Sequence, residues 1–267
     1  MRSRRTIAAN RPPALIVVLA VIGALFFALP FAGLLTRTPW TGLLSLLTTD
    51  LVADALLLSL LSSVLATAIS ALIGIPIAWV LARVDFAGRS LVRGCVLPPL
   101  VLPPVVVGAA LLFALGRRGL VGEALYSSTG LVLPFSVVGV VLAATFVAMP
   151  FLVITVEGAL RNFDERYEAA AATLGAKRWA TFRQVTMPMI RPSITAGLLL
   201  TWARAFGEFG ATITFAGNLP GRTQTLPLAV FVSLESNRDA AIAISLLMVA
   251  ISLVVLIALR DRWWPRP

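Results

Sequence analysis

The chain contains no histidine, one cysteine (Cys95) and one lysine (Lys177) among 267 residues. Each scarcity removes a class of chemistry. Without histidine there is no imidazole acid–base catalysis and no usual zinc cluster, so no metal site is expected. A single cysteine cannot close a disulfide within the chain. Cys95 reads as a small apolar residue at the start of an apolar run. A Walker A loop needs Gly-x-x-x-x-Gly-Lys followed by Ser or Thr. Lys177 is followed by Arg178, and Ala171 stands where the first glycine belongs. The chain is therefore read as a non-enzyme with no cofactor of its own. Charge is scarce too: 13% of residues are charged, against about 25% in a soluble domain.

Apolar residues fill the space. They make up 59% of the chain and are gathered into blocks. A transmembrane helix takes about 20 apolar residues. Six blocks approach or exceed that length, near residues 14–35, 51–81, 94–115, 131–154, 193–216 and 240–259. A backbone in lipid must satisfy its hydrogen bonds within each segment. The expected fold is an all-α integral membrane protein with six spanning helices. The first block follows Arg2, Arg4 and Arg5, as a secretory signal would. It is longer than a signal core and no small-x-small cleavage site follows it, so a retained helix is expected.

The net charge is +10. On a soluble protein this suggests a nucleic-acid partner, but no basic-aromatic platform lies between the blocks. Lipid is the expected partner, and nucleic acid is not. With a cytoplasmic N-terminus, one side of the membrane holds sixteen basic residues: Arg2, Arg4, Arg5, Arg11, Arg83, Arg89, Arg93, Arg161, Arg166, Lys177, Arg178, Arg183, Arg191, Arg260, Arg262 and Arg266. The other side holds five: Arg37, Arg117, Arg118, Arg222 and Arg238. Positive residues favour the cytoplasmic side, so both termini are expected in the cytoplasm. Trp263 and Trp264 suit an interfacial anchor. The spans are not uniform rods. Pro76 and Pro150 interrupt the second and fourth, and Pro98, Pro99, Pro103 and Pro104 fall within the third. Each removes a backbone donor and favours a kink.

The only long polar segment is 157–191, between the fourth and fifth blocks. Asn162 with Glu165 three residues later suggests a capping box. Tyr167-Glu168-Ala169-Ala170-Ala171-Ala172-Thr173-Leu174 is rich in helix formers. Gly175 suits a helix end that needs a left-handed residue. The basic amphipathic stretch from Lys177 to Arg183 follows, and Pro188 and Pro192 lead into the fifth span. Glu168 and the alanines after it, then Gly175, then Val185-Thr186-Met187-Pro188, resemble the EAA signature of permease subunits of ATP-binding-cassette (ABC) importers. Aligned on Gly175, the family's Glu-Ala-Ala triplet falls on Ala169-Ala170-Ala171, so Glu168 sits one residue early. The resemblance implies a type I transmembrane domain with a cytoplasmic coupling helix that docks on a separate ATPase. Glu168, Ala169, Ala170, Ala171, Gly175 and Pro188 would carry that coupling. Glu168 could pair with a basic residue of the partner or cap backbone groups, and the sequence leaves both open.

The fifth span and its exit read Arg204-Ala205-Phe206-Gly207-Glu208-Phe209-Gly210-Ala211-Thr212-Ile213-Thr214. Arg204 and Glu208 are four apart and are expected to share a helix face. Ionisable residues within a bilayer usually face the bundle interior. The pair is either a neutralising brace or part of a gate. Gly207 and Gly210 permit close helix approach. Thr212 and Thr214 are candidate donors along a pathway, although hydroxyls in a helix often bond their own backbone.

This segment, with Ala216-Gly217-Asn218 and Thr225-Leu226-Pro227, resembles the molybdate branch of the importers. So do Leu102-Pro103-Pro104-Val105-Val106-Val107-Gly108, Gly116-Arg117-Arg118-Gly119 and Gly122-Glu123-x-Leu125-Tyr126. The resemblance spans about 51–259. It implies a molybdate permease, with tungstate as a companion cargo and sulfate or thiosulfate as the second reading. Implied partners are an ATPase that binds ATP and Mg, an extracytoplasmic oxyanion-binding protein and a second copy of the chain. The expected organisation is a tail, first helix and external loop in 1–50, a transmembrane core in 51–259, and a cytoplasmic tail in 260–267. A secondary transporter would carry coupling carboxylates and often internal repeats. Only Glu208 lies clearly within a span, and no repeat is found. A membrane-embedded enzyme lacks a catalytic constellation here.

Overall fold

The structure, a computed structural model, describes residues 13–263, with side chains described as far as residue 258. The tail carrying Arg2, Arg4, Arg5 and Arg11 lies outside the described residues, as do 264–267. The anchor expected of Trp263 and Trp264 and the cytoplasmic tail expected at 260–267 therefore fall outside the described side chains. Among the described residues the chain is all-α, with no strand.

Four helices are long and apolar enough to cross a membrane. The first, α1 (Ala14–Thr36), has no buried residue. It is apolar on every face, as suits a helix in a lipid layer. A short helix, α2 (Leu43–Leu47), leads into α3 (Asp50–Arg83). Asp50 in its first turn and Arg83 in its last complement the helix dipole. At 34 residues α3 is about 51 Å long, well beyond a hydrocarbon layer of about 30 Å. One end must therefore project past the lipid.

The third expected span is not one helix. It is α4 (Arg89–Val96), α5 (Pro98–Val101) and α6 (Pro104–Leu115). Leu102 and Pro103 each precede a proline and are extended, with ψ of 142° and 133°. The proline ring excludes the helical conformation from the residue before it, and this sets the break. Cys95 lies exposed on α4 rather than inside a span. After α7 (Gly122–Thr129) comes α8 (Val137–Arg161). The expected fourth span begins six residues too early, because 131–136 is not helical. Ser136 fixes the true start by accepting a hydrogen bond from the Gly139 amide at 3.1 Å.

The polar loop forms α9 (Arg166–Thr173), α10 (Arg178–Thr181) and a π-turn (Phe182–Thr186). The fifth expected span starts earlier and ends sooner than its hydropathy suggests. It is α11 (Met187–Phe206), a break at 207–209, and α12 (Gly210–Phe215). Two further helices follow, α13 (Leu226–Ser236) and α14 (Arg238–Trp263).

The bundle centres on α8, which packs between α3 and α11. In lipid, apolar surface gives no net drive between helices, so close packing of small residues must supply it. Ala66, Ala144, Ala148 and Ala205 form one such contact layer. Gly74 faces Met149 and Val153, whose side chains would lie 3.2 and 3.3 Å from an added Cβ. A second layer joins Val107, Leu111, Ala143, Val147, Ala211 and Phe215, and brings α6 and α12 against α8. A third sits beneath the polar loop, with Leu81, Leu152, Val156, Leu160 and Ile190.

Candidate functional site

The polar loop is more ordered than an ordinary linker. Gly175 has φ +82°, the left-handed region that a β-carbon disfavours. Its amide donates to the Ala172 carbonyl, and the Ala176 amide donates to Ala171, both at 3.0 Å. These two bonds are the 5→2 and 6→1 pair of a Schellman cap. The expected start of α9 needs correction. Asn162 ends α8, and no side chain caps α9. Asp164 instead accepts from the Arg166 amide at 3.0 Å in a local turn.

Glu168 is held inside its own chain. Its Oε1 accepts from the Thr186 hydroxyl at 2.6 Å and from Arg83 Nη2 at 3.4 Å. Arg83 Nη1 also reaches Glu165 Oε1 at 2.5 Å, and its guanidinium lies 5.4 Å from the Phe163 ring centre. These groups surround a cavity of about 420 Å³ whose walls include Trp79, Ala172 and Arg178. Of the roles left open for Glu168, capping a backbone group is not its contact within the chain. It bridges the end of α3 to the residue that precedes α11. Thr186 is buried, while Ala169 and Ala170 are exposed and Ala171 is half-buried. Leu174 is 88% exposed. Pro188 lies in the first turn of α11, directly after the π-turn, in a helical run unbroken from Arg178. The exposed face of α9 is thus tied through Glu168 to α3 and to the residue that precedes α11.

Sequence spacing missed further ties in this region. Glu157 on α8 pairs with Arg93 of α4, and with Arg161 at 3.1 Å. Arg89 donates to the Leu81 carbonyl at 3.0 and 2.6 Å, satisfying the free end of α3. Arg161 is four residues from Glu157, but Arg93 is 64 residues from it, so only the count of charges on one side of the membrane hinted at that tie.

Deeper in the bundle, Arg204 Nη1 lies 2.6 Å from Glu208 Oε2, with Glu208 only 2% exposed. The pair forms, but not on one helix face as expected. The helix ends at Phe206 and Glu208 lies in the break. Its Oε1 accepts from the Ala211 amide at 2.7 Å, capping α12. The contact to Arg204 is close but too bent to be a hydrogen bond. Gly210 does permit close approach, since an added Cβ would lie 2.8 Å from Pro104 Cβ; Gly207 meets only its own helix. The Thr214 hydroxyl is bonded to the Gly210 carbonyl at 2.8 Å. Thr212 is buried. No cluster of metal-ligating side chains occurs among the described residues.

A bundle with broken spans and a braced polar-loop helix has counterparts among known proteins. The family described as "Binding-protein-dependent transport system inner membrane component" matches residues 74–263. The chain belongs to this family of ABC importer permeases. It is 43% identical over 243 residues to the "Molybdenum transport system permease protein ModB" of Mycobacterium tuberculosis (strain ATCC 25618 / H37Rv), covering 91% of this chain and 92% of that one. The protein of that description from Escherichia coli (strain K12) is also 43% identical, over 82% of this chain and 95% of its own. The "Sulfate transport system permease protein CysT" of Escherichia coli (strain K12) is 34% identical, over 88% and 86%. Among solved structures, a bacterial ABC transporter involved in the import of alginate has the same fold. Its TM-score is 0.70 at 18% identity, with 94% of this chain and 95% of that chain covered. The chain is thus a multi-pass permease subunit of the type I importer class. Such permeases work with a separate ATPase and a binding protein.

Proposed function

We propose that two copies of this chain form the transmembrane path of a molybdate importer in the cytoplasmic membrane, with tungstate carried alongside. The observation that carries the cargo is the 43% identity over 91% of the chain to a molybdenum permease, against 34% over 88% for a sulfate permease. Sulfate or thiosulfate is the second reading, supported by that relative.

ATP and Mg bind to the partner ATPase. An extracytoplasmic binding protein delivers the anion. The charge bias puts both termini and α9 in the cytoplasm. There α9 is the coupling helix. Ala169, Ala170 and Leu174 meet the ATPase, Gly175 turns the chain back, and Pro188 starts the helix that receives the motion. Small alanines let a partner groove approach the backbone. A cassette importer has two ATPase sites and this chain supplies one coupling helix, so the permease is a homodimer.

Tetrahedral dianions differ chiefly in size, and discrimination is a difference of affinities. That difference belongs to the pocket of the binding protein, and the permease needs no tight site. Deleting the gene and assaying molybdenum enzymes at scarce and abundant molybdate tests the cargo. Activity should fail at scarcity and recover with excess. Unaffected molybdenum enzymes together with failed growth on sulfate would overturn the cargo and leave the importer intact.

A further inference from the structure

The most spacious cavity described, about 700 Å³, runs beside α3 and adjoins the ion-pair cavity, with which it shares Trp79, Arg178 and Phe182. Ala71, Leu72, Ile75, Pro76, Trp79 and Val80 form one wall. The facing wall is Trp179, Phe182 and Met187, with Arg178 the only charged side chain at its edge. Phe182 ties the walls together: its ring stacks on Trp179 at 5.5 Å and meets Trp79 edge-on at 6.4 Å.

The order of residues along α3 gives the groove a direction. Arg83 ends the helix, Trp79 stands one turn inside it, and Ala71 is about 12 Å deeper. Tryptophan favours the headgroup level of a bilayer. Leu72 and Ile73, at the deep end, are 77% and 45% exposed, as suits a surface facing hydrocarbon. The groove therefore starts at headgroup depth and runs into the apolar layer along a helix that crosses it.

Arg178, the cation at its mouth, makes no ion pair among the described residues, although Glu165 and Glu168 line the adjoining cavity with it. Arg83, Arg89, Arg93 and Arg161 all have carboxylate partners, whereas among the described residues none pairs with Lys177, Arg178 or Arg183. Lys177, Arg178 and Arg183 are exposed. An apolar slot of this size does not hold ordered water, which needs polar partners. A slot that starts at a cation and ends in hydrocarbon matches a charged headgroup joined to an alkyl chain.

We propose that this groove binds one acyl chain of an anionic phospholipid, with its phosphate on Arg178 and with Lys177 and Arg183 beside it. The lipid would lie against Trp179 and Phe182, which belong to the same segment as the coupling helix. The site requires only that α3 crosses the bilayer. It depends neither on the cargo nor on which side the segment faces.

The test uses the permease with its ATPase, reconstituted in vesicles of equal parts phosphatidylglycerol and phosphatidylcholine. One lipid at a time carries a photoreactive group on its acyl chain, and labelled peptides are mapped by mass spectrometry. Labelling of α1, which is lipid-exposed throughout, reports insertion in the same sample. Phosphatidylglycerol should label 71–80 and 178–187 in preference to phosphatidylcholine. Arg178→Gln should lower that labelling about fivefold, the effect of one interfacial cation. Ala71→Trp should abolish it by filling the groove, with α1 labelled as before. Equal labelling by the two lipids, or labelling unchanged in both variants, overturns the proposal. Labelling seen in the permease alone but lost in the complex overturns it too, and gives the groove to the ATPase.

Discussion

Arg83, the last residue of a helix that crosses the membrane, reaches Glu168 Oε1 at 3.4 Å, and the Thr186 hydroxyl donates to the same oxygen at 2.6 Å. One carboxylate oxygen thus gathers the end of α3, the middle of α9 and the approach to α11. If α9 is the coupling helix as proposed, this node would carry its displacement to two long helices. A floppy loop of equal length would absorb it.

Removing the cation should loosen that node. Arg83→Ala leaves Glu168 half-buried with only Thr186, and leaves Glu165 free. A charged hydrogen bond is worth about 1.5–3 kcal/mol, less where solvent screens it, so α9 should lose about 1 kcal/mol of local stability. Amide exchange across Arg166–Thr173 should then quicken roughly fivefold, and ATP hydrolysis should continue with less transport per turnover. Exchange at the wild-type rate would show that the node is idle.

Gly175 isolates backbone strain from packing. An added Cβ would meet nothing within 4 Å, yet φ is +82°. Gly175→Ala should therefore cost about 1 kcal/mol through the left-handed penalty alone. Gly175→Asn should cost less, because asparagine tolerates this region. Gly175→Val should cost more. Transport measured across the three variants should follow Asn, Ala, Val in descending order, with membrane insertion unchanged. Loss of that order would mean that Gly175 matters for contact with a partner rather than for its conformation.

Gly175 was legible in the sequence because it follows an alanine-rich helix and only its conformation had to be inferred. A kink near Leu102 was legible for a similar reason, since four prolines act locally, but the full break that divides the expected third span into separate helices was not. The break at 207–209 was not. Hydropathy runs on through Phe206 and Phe209, and the helix stops because Gly207 is weak in a helix and Glu208 turns to cap α12. The capping box at Asn162 failed because the competing Asp164 sat two residues away and local turn chemistry won. The pairing of Arg83 with Glu168 joins residues 85 apart. No local pattern can show such a pair; composition indicates only that the charges share a side.

Contact between α6 and α12 gives a packing test. An added Cβ on Gly108 would lie 2.7 Å from both the Ala211 carbonyl oxygen and Thr214 Cβ. The helices must separate to admit it, so Gly108→Ala should destabilise by about 1–3 kcal/mol and lower the thermal midpoint of the purified permease. Gly94→Ala is the matched control. It lies within α4, where an added Cβ meets nothing, and alanine is the better helix former by about 1 kcal/mol. It should leave the midpoint unchanged or raise it. Equal behaviour of the two variants would contradict the close approach.

Arg204 and Glu208 decide whether a membrane ion pair is a brace or a gate. Oε1 of Glu208 accepts from the Ala211 amide at 2.7 Å, while Oε2 lies 2.6 Å from Arg204 as an ion pair without hydrogen-bond geometry. The anion-attracting group is the guanidinium, and Glu208 neutralises it, so the pair is expected to act as a brace at the helix break. Breaking a buried pair from one side strands the other charge and costs about 3–5 kcal/mol. Arg204→Met alone and Glu208→Gln alone should therefore each cut the amount of folded permease sharply. Glutamine still accepts from Ala211 but leaves Arg204 without its counter-charge, so its loss should be the smaller of the two. The double variant removes both charges, keeps the cap and fills the arginine's volume. It should recover folded protein and, with it, transport. Recovery of folded protein without transport would place the pair in the anion's path, because a brace is replaceable by a neutral pair of similar shape and a gate is not.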